Sequence, residues 1–128
     1  MSRVLTSHKV NGLNEDLHVE VHDEPGQGNA CHHYTIAYCL NPGTPDGGTS
    51  LMTTIRFQDG PVQEFGINGI SNESLLAIVE DRLLGFQSGP FACRENAVAL
   101  TKLQECLMWL QKRTRDRMTR GVEGTNQK

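Results

Sequence analysis

The run from residue 72 to residue 119 reads NESLLAIVEDRLLGFQSGPFACRENAVALTKLQECLMWLQKRTRDRMT. Two helical periodicities lie in it, separated by one break. In the first, Leu75, Leu76, Val79, Leu83 and Leu84 recur at intervals of three or four, with Glu80, Asp81 and Arg82 between them. That spacing predicts an amphipathic helix over roughly residues 73–86. Ser71 or Asn72 is placed to cap it, since a short polar side chain satisfies the free N–H groups of a first turn. Gly85, Gly89 and Pro90 interrupt the pattern. In the second, Leu100, Leu103, Leu107 and Leu110 repeat through to about Thr119, and Met108 and Trp109 widen the stripe. At ~1.5 Å per residue this is a rod of about 40 Å. One short partner cannot cover so long a helix. Part of its apolar stripe is therefore expected to meet another subunit.

Upstream the period changes from helical to alternating. Leu17 to His22 alternates strictly, which predicts a half-buried strand with Leu17, Val19 and Val21 inward. Asp23 to Asn29 is turn chemistry. His33 to Leu40 reads as a second strand, with Tyr34, Ile36 and Tyr38 on one face. Asn41 to Ser50 holds two Pro and three Gly and reads as a loop. Leu51 to Phe57 is a third strand, with Leu51, Thr53, Ile55 and Phe57 on one side. Gln58-Asp59-Gly60-Pro61 predicts a tight turn, with Asp-Gly favouring positive φ. Val62 to Ile67 is then expected as a fourth strand closing a hairpin. Residues 1–16 are polar and weakly patterned, and predict a loose arm or a short edge element. The order, strands first and helices after, is α+β rather than βαβ. It describes a single domain over 1–128: a small antiparallel sheet over about 17–67, a helical hairpin over about 72–119 and a tail over 120–128. The first helix is expected to cover the sheet's apolar face.

The chain carries 128 residues at a net charge of −3, so no global basic field favours a DNA or RNA polymer. Locally the balance inverts. Lys112, Arg113, Arg115, Arg117 and Arg120 face Asp116 alone within nine residues. Such a cationic end on a mildly acidic chain suits a small anion better than a long polyanion. Cys31, Cys39, Cys93 and Cys106 form no CxxC pair and no zinc spacing. No apolar run approaches the ~18 residues a membrane helix needs, so a soluble, intracellular protein with reduced thiols is expected.

Five histidines invite a metal or catalytic reading. His18 and His22 share the outer face of the predicted strand but stand about 13 Å apart, too far to share an ion. His32 and His33 point to opposite faces. Solvated sheet histidines are the plainer account. No nucleophile elbow, P-loop or dinucleotide fingerprint is present, and nothing here argues for catalysis. Arg113, Arg117 and Arg120, at spacings of four and three, share one helical face. Guanidinium groups grip phosphates in bidentate fashion. Asn96 offers donor and acceptor to a base edge, and Phe86 at the bend offers a stacking face. Asn96 and Arg113 lie about five turns apart, so they meet only if a second copy packs antiparallel. A solvated helix end, stabilised by the helix dipole, accounts for the same arginines without any ligand.

Several stretches carry a resemblance. Gly-Ile-Asn-Gly-Ile at 66–70, Leu-Leu-Gly-Phe-Gln-Ser-Gly at 83–89, Cys-Arg-Glu-Asn-Ala at 93–97, Leu-Met-Trp-Leu at 107–110, Lys-Arg-Thr at 112–114 and Arg-Gly-Val-Glu-Gly-Thr at 120–125 resemble a family of small phage proteins. That family is the Thoeris anti-defence proteins of the first type. Gly-Asn-Ala-Cys-His-His-Tyr at 28–34 looks like its turn and strand, and the hairpin is similar to that of an anti-CBASS sponge family. The resemblance covers residues 57–125 well and the first third loosely. It implies a sponge in the host cytoplasm. Such a protein binds a cyclic ADP-ribose isomer made by a TIR-domain defence protein and keeps it from its effector without degrading it. It implies no cofactor, no metal and no membrane. Members form homodimers, and some form hexamers that also take up cyclic di- or trinucleotides. By position Phe86 would stack on the ligand, Asn96 would hydrogen-bond it and Arg113 would pair with its pyrophosphate. Arg117 joins them on chemistry alone, and His32 or Tyr34 is expected to close over the ligand.

Two other classes stay open. A hydrolase of the same signal would need a base such as His32 or Glu95, and would release linear product. An oligomeric protein-binding module would use the hairpin as its seam and the arginine face for an acidic partner.

Overall fold

The computed structural model describes residues 2–41 and 48–128. Most of the expected Asn41–Ser50 loop lies outside them. The fold is α+β, with a four-stranded antiparallel sheet first and helices after it. The chain divides into two compact units, one up to Asp59 and one from Gly60 onward.

In the first unit the strands follow one another across the sheet: β1 (Arg3–Leu5), β2 (Leu17–Val21), β3 (His33–Cys39) and β4 (Thr49–Arg56). The alternating run does form β2, and Val21 on its inner face is fully buried. Val21 pairs with Tyr34, and Tyr34 with Ile55, so the three strands present one apolar row. The pattern slips at a bulge. Ile36 pairs with Thr53 but Ala37 pairs with Leu51, so Met52 is the extra residue. A bulge of this kind inverts the alternation beyond it. Leu51 therefore stands on the side opposite Thr53, not with it as strict alternation would have it.

Two expectations are corrected. Val62 to Ile67 is no strand. Val62–Phe65 is a single helical turn, α2. Pro61 lacks an N–H and holds φ at −65°, which suits a helix entry, and its carbonyl accepts from Glu64 and Phe65. Gly60 does take positive φ, at 85°, but turns the chain into that helix rather than into a hairpin. The fourth strand is instead β1, the short edge element, paired to β2 with Arg3 opposite Val21. Between β1 and β2 lies a five-residue helix, α1 (Gly12–Asp16), capped by the Asn11 side chain.

The second unit is built on two helices in contact, α3 (Asn72–Gln87) and α4 (Arg94–Thr119). Ser71 caps α3 in a reciprocal box: its Oγ accepts from the Ser74 N–H, and Ser74 Oγ accepts from the Ser71 N–H. Gly85 lies inside α3, which ends where the Ser88 N–H reaches the Leu84 and Gly85 carbonyls. At the start of α4 the cap is Cys93, whose Sγ accepts from the Asn96 N–H at 3.4 Å. With 26 residues, α4 spans about 39 Å. Leu107 is the buried centre of the seam. Leu75, Leu76, Leu83, Leu100, Leu103 and Leu110 are half-buried, while Ile78, Val79, Leu84, Val98 and Trp109 stay exposed. Among the described residues no helix is long and apolar enough to cross a membrane.

Candidate functional site

Trp109, Arg113, Arg117 and Arg120 follow one another on α4 at steps of four, four and three, so one face carries an indole followed by three guanidinium groups. That face borders a groove of about 860 Å³, whose other lining residues include Lys112, Asp116 and Lys128. Trp109 is 63% exposed, and Arg113 and Arg120 are exposed as well. Asp116 is neutralised by Lys112 at 2.8 Å. The groove is thus cationic with one broad aromatic wall. It lies where the α4 carbonyls point outward, an end that itself favours positive side chains.

Arg117 behaves differently from its neighbours. It is 6% exposed and its donors are occupied. Nε donates to Glu123 Oε2 at 3.0 Å, Nη2 to the carbonyls of Val122 and Thr125 at 2.9 and 3.0 Å, and Nη1 to the Gln127 carbonyl. A buried guanidinium is tolerable only with such pairing. Residues 121–128 are thereby held against α4, and Gly124 on their far side is bonded to α2, its carbonyl accepting from the Gln63 N–H at 3.1 Å. Lys128 in the groove lining was not foreseen. Its place depends on contacts five to ten residues beyond Arg117, and no helical pattern reports those.

Phe86 and Asn96 sit at the bend of the hairpin, at the end of α3 and the start of α4. The Arg82 guanidinium lies 5.4 Å from the Phe86 ring centroid and leaves part of the ring open. Asn96 is half-buried. From Asn96 to Arg113 the helix rises 17 residues, about 25 Å. A single chain therefore keeps the bend residues and the groove apart.

His32 and Tyr34 belong to the sheet unit. Asp23 organises their strand: its carboxylate accepts from the N–H groups of His32 and His33 at 2.8 and 3.1 Å. Burial alone would raise the Asp23 pKa, but these bonds outweigh it and hold it below the ordinary value. The His32 ring is largely covered, with Asp23 and Asp59 carboxylates 3.8 and 3.9 Å from its two nitrogens. Tyr34 packs edge-on against Phe57, and burial, followed by the neighbouring Cys31, pushes its hydroxyl pKa up. On the other face of the sheet, His22 and His33 lie with ring centroids 4.8 Å apart. Burial, then the charges of Arg56 and His22, lower the His33 pKa. Glu20 stands between His18 and His22, at 3.7 and 3.3 Å. Among the described residues no three His, Cys, Asp or Glu side chains gather as a metal site.

Residues 52–115 match the family model described as the Acb2/Tad1 hairpin domain. The chain is also 46% identical over 116 residues to Thoeris anti-defense 1 of Bacillus phage SBSphiJ7, covering 78% of this chain and 82% of that protein. The chain belongs to the Thoeris anti-defense 1 family. Phe86, Asn96 and Arg113 all fall inside the matched hairpin, as does Trp109. Arg117, Arg120 and the segment they adjoin fall beyond it. As a Thoeris anti-defense 1 member the protein is a phage anti-defence protein.

Proposed function

We propose that this protein is a sponge: it binds a cyclic ADP-ribose isomer, holds it intact and so withholds it from a Thoeris effector. The cationic groove with its exposed indole carries this reading. A cyclic ADP-ribose isomer is compact, bears a pyrophosphate and has an aromatic base. The groove supplies Arg113 and Arg120 for the phosphates, and family membership supplies the defence system whose signal is at stake. Phe86 stacks on the base and Asn96 reads its edge. These two reach the pyrophosphate bound at Arg113 when a second copy lies antiparallel, because about 25 Å separates them within one chain. The working unit is therefore a homodimer, or a hexamer built from dimers, which leaves room for cyclic di- or trinucleotides as further ligands. The protein is not an enzyme in this reading: tight retention calls for phosphate grips and stacking, with no base or nucleophile beside the ligand.

Titration calorimetry with the cyclic isomer tests it. The parent protein is expected to bind, and Arg113→Ala to lose about 2 kcal/mol, or roughly 30-fold in affinity, as for a charge-assisted pair removed from a binding site. Equal affinity in the variant would remove Arg113 from the site.

A further inference from the structure

We propose that Arg117 is a positioning residue: it fastens residues 121–128 along α4 as a wall that carries Lys128 into the groove lining, and the ligand meets Lys128 there rather than the occupied Arg117 guanidinium. This rests on the sponge reading for the ligand, while the fastening stands on geometry alone. Four bonds run from one buried guanidinium to Glu123, Val122, Thr125 and Gln127. The return bond, from the Val122 N–H to the Arg117 carbonyl at 3.0 Å, closes the loop. Chain reversal at Gly121 uses a φ of 74°, and a second bend at Gly124 uses 82°. Gly124 is itself hemmed in, since a Cβ there would stand 3.1 Å from the Gln63 side chain. So the segment is gripped on one side by Arg117 and on the other by Gln63, and it delivers Lys128 to the groove. A planar fork with fixed donors suits this task, and an ammonium does not reproduce it.

Three variants of the full-length chain separate fastening from direct contact: Arg117→Ala, Arg117→Lys and Gly124→Ala. Gly124→Ala loosens the segment from its far side and leaves every guanidinium in place. Two readouts apply, amide hydrogen exchange over residues 121–128 and calorimetric affinity for the cyclic ADP-ribose isomer. The segment is expected to exchange faster in all three variants, with affinity down by about tenfold in each. Lysine is expected to do no better than alanine, and Arg113→Ala to weaken binding further on each background. Unchanged exchange in Arg117→Ala would overturn the fastening. Arg117→Lys retaining affinity, or Gly124→Ala binding like the parent with a loosened segment, would make Arg117 a direct ligand contact and overturn the positioning role. A parent chain that binds no cyclic ADP-ribose isomer would overturn the sponge reading and the wall's role in binding, while exchange would still judge the fastening.

Discussion

Arg113 and Arg117 stand one turn apart on the same face of α4 and have different surroundings. Arg113 opens onto the groove. Arg117 is turned inward and tied to the segment that follows the helix. A helical wheel groups them, and the sequence reading did so, because the i to i+4 relation is local. The distinction comes from partners after Gly121, which no periodicity reports. The sheet residues show the same limit. That His18 and His22 share an outer face followed from the period of two, but the carboxylate role of Asp23 depends on a strand nine residues away. Asp23 and His33 also make a pH prediction. Both have folded pKa values lowered, from 3.8 and 6.5 respectively. Each therefore contributes stability that is present above the unfolded value and lost as pH falls through the folded one. Urea midpoints are expected to fall as the pH drops below 6.5 and His33 takes up a proton, and to fall again below 3.8 through Asp23. His33→Gln should flatten the first limb alone. An equally steep limb in that variant would assign it elsewhere.

At the scale of elements, α3 and α4 were legible because a long stripe at one period admits one structure. The sequence leaves the cap between Ser71 and Asn72, and the reciprocal Ser71–Ser74 bonds assign it to Ser71. Val62–Phe65 was not legible. Four residues between a Gly-Pro pair and a Gly are too short for a period to show, and Val and Phe suggest a strand by composition. What makes them helical is the Pro61 entry and the bonds from Gln63 to the 121–128 segment, which are long-range. β1 is likewise chosen by pairing with β2 rather than by its own three residues. The entry to α2 also makes a test. Gly60 holds φ at 85°, and a Cβ there would lie 2.5 Å from the Phe65 ring. Gly60→Ala is expected to destabilise the protein by about 1–3 kcal/mol, read as a lower thermal midpoint. A midpoint at the parent value would mean that the Gly60 conformation and the Phe65 contact are not part of the folded chain.

At the scale of the molecule, apolar surface exceeds what one chain can cover. Among the described residues of the hairpin unit Leu107 is a buried apolar side chain, whereas Ile78, Val79, Phe91, Val98, Met108 and Trp109 remain exposed. Apolar surface of this extent on two packed helices is what the proposed homo-oligomer would cover. The long second helix carries the same expectation, since one short partner leaves part of α4 bare. Light scattering is expected to give a multiple of 14.2 kDa, and Leu110→Asp to give monomer or unfolded chain, because a carboxylate at the seam is left without a partner. A folded Leu110→Asp variant of parent mass would place the interface elsewhere. The claim at the centre is retention without chemistry, and ligand release tests it most directly. Protein incubated with signal-bearing lysate from a TIR defence system is washed and heat-denatured, and the freed small molecules are identified by mass spectrometry. Sequestration predicts an intact cyclic ADP-ribose isomer in proportion to the protein. Recovery of linear ADP-ribose would contradict it in favour of hydrolysis, and recovery of no nucleotide would contradict it in favour of a protein partner for the arginine face.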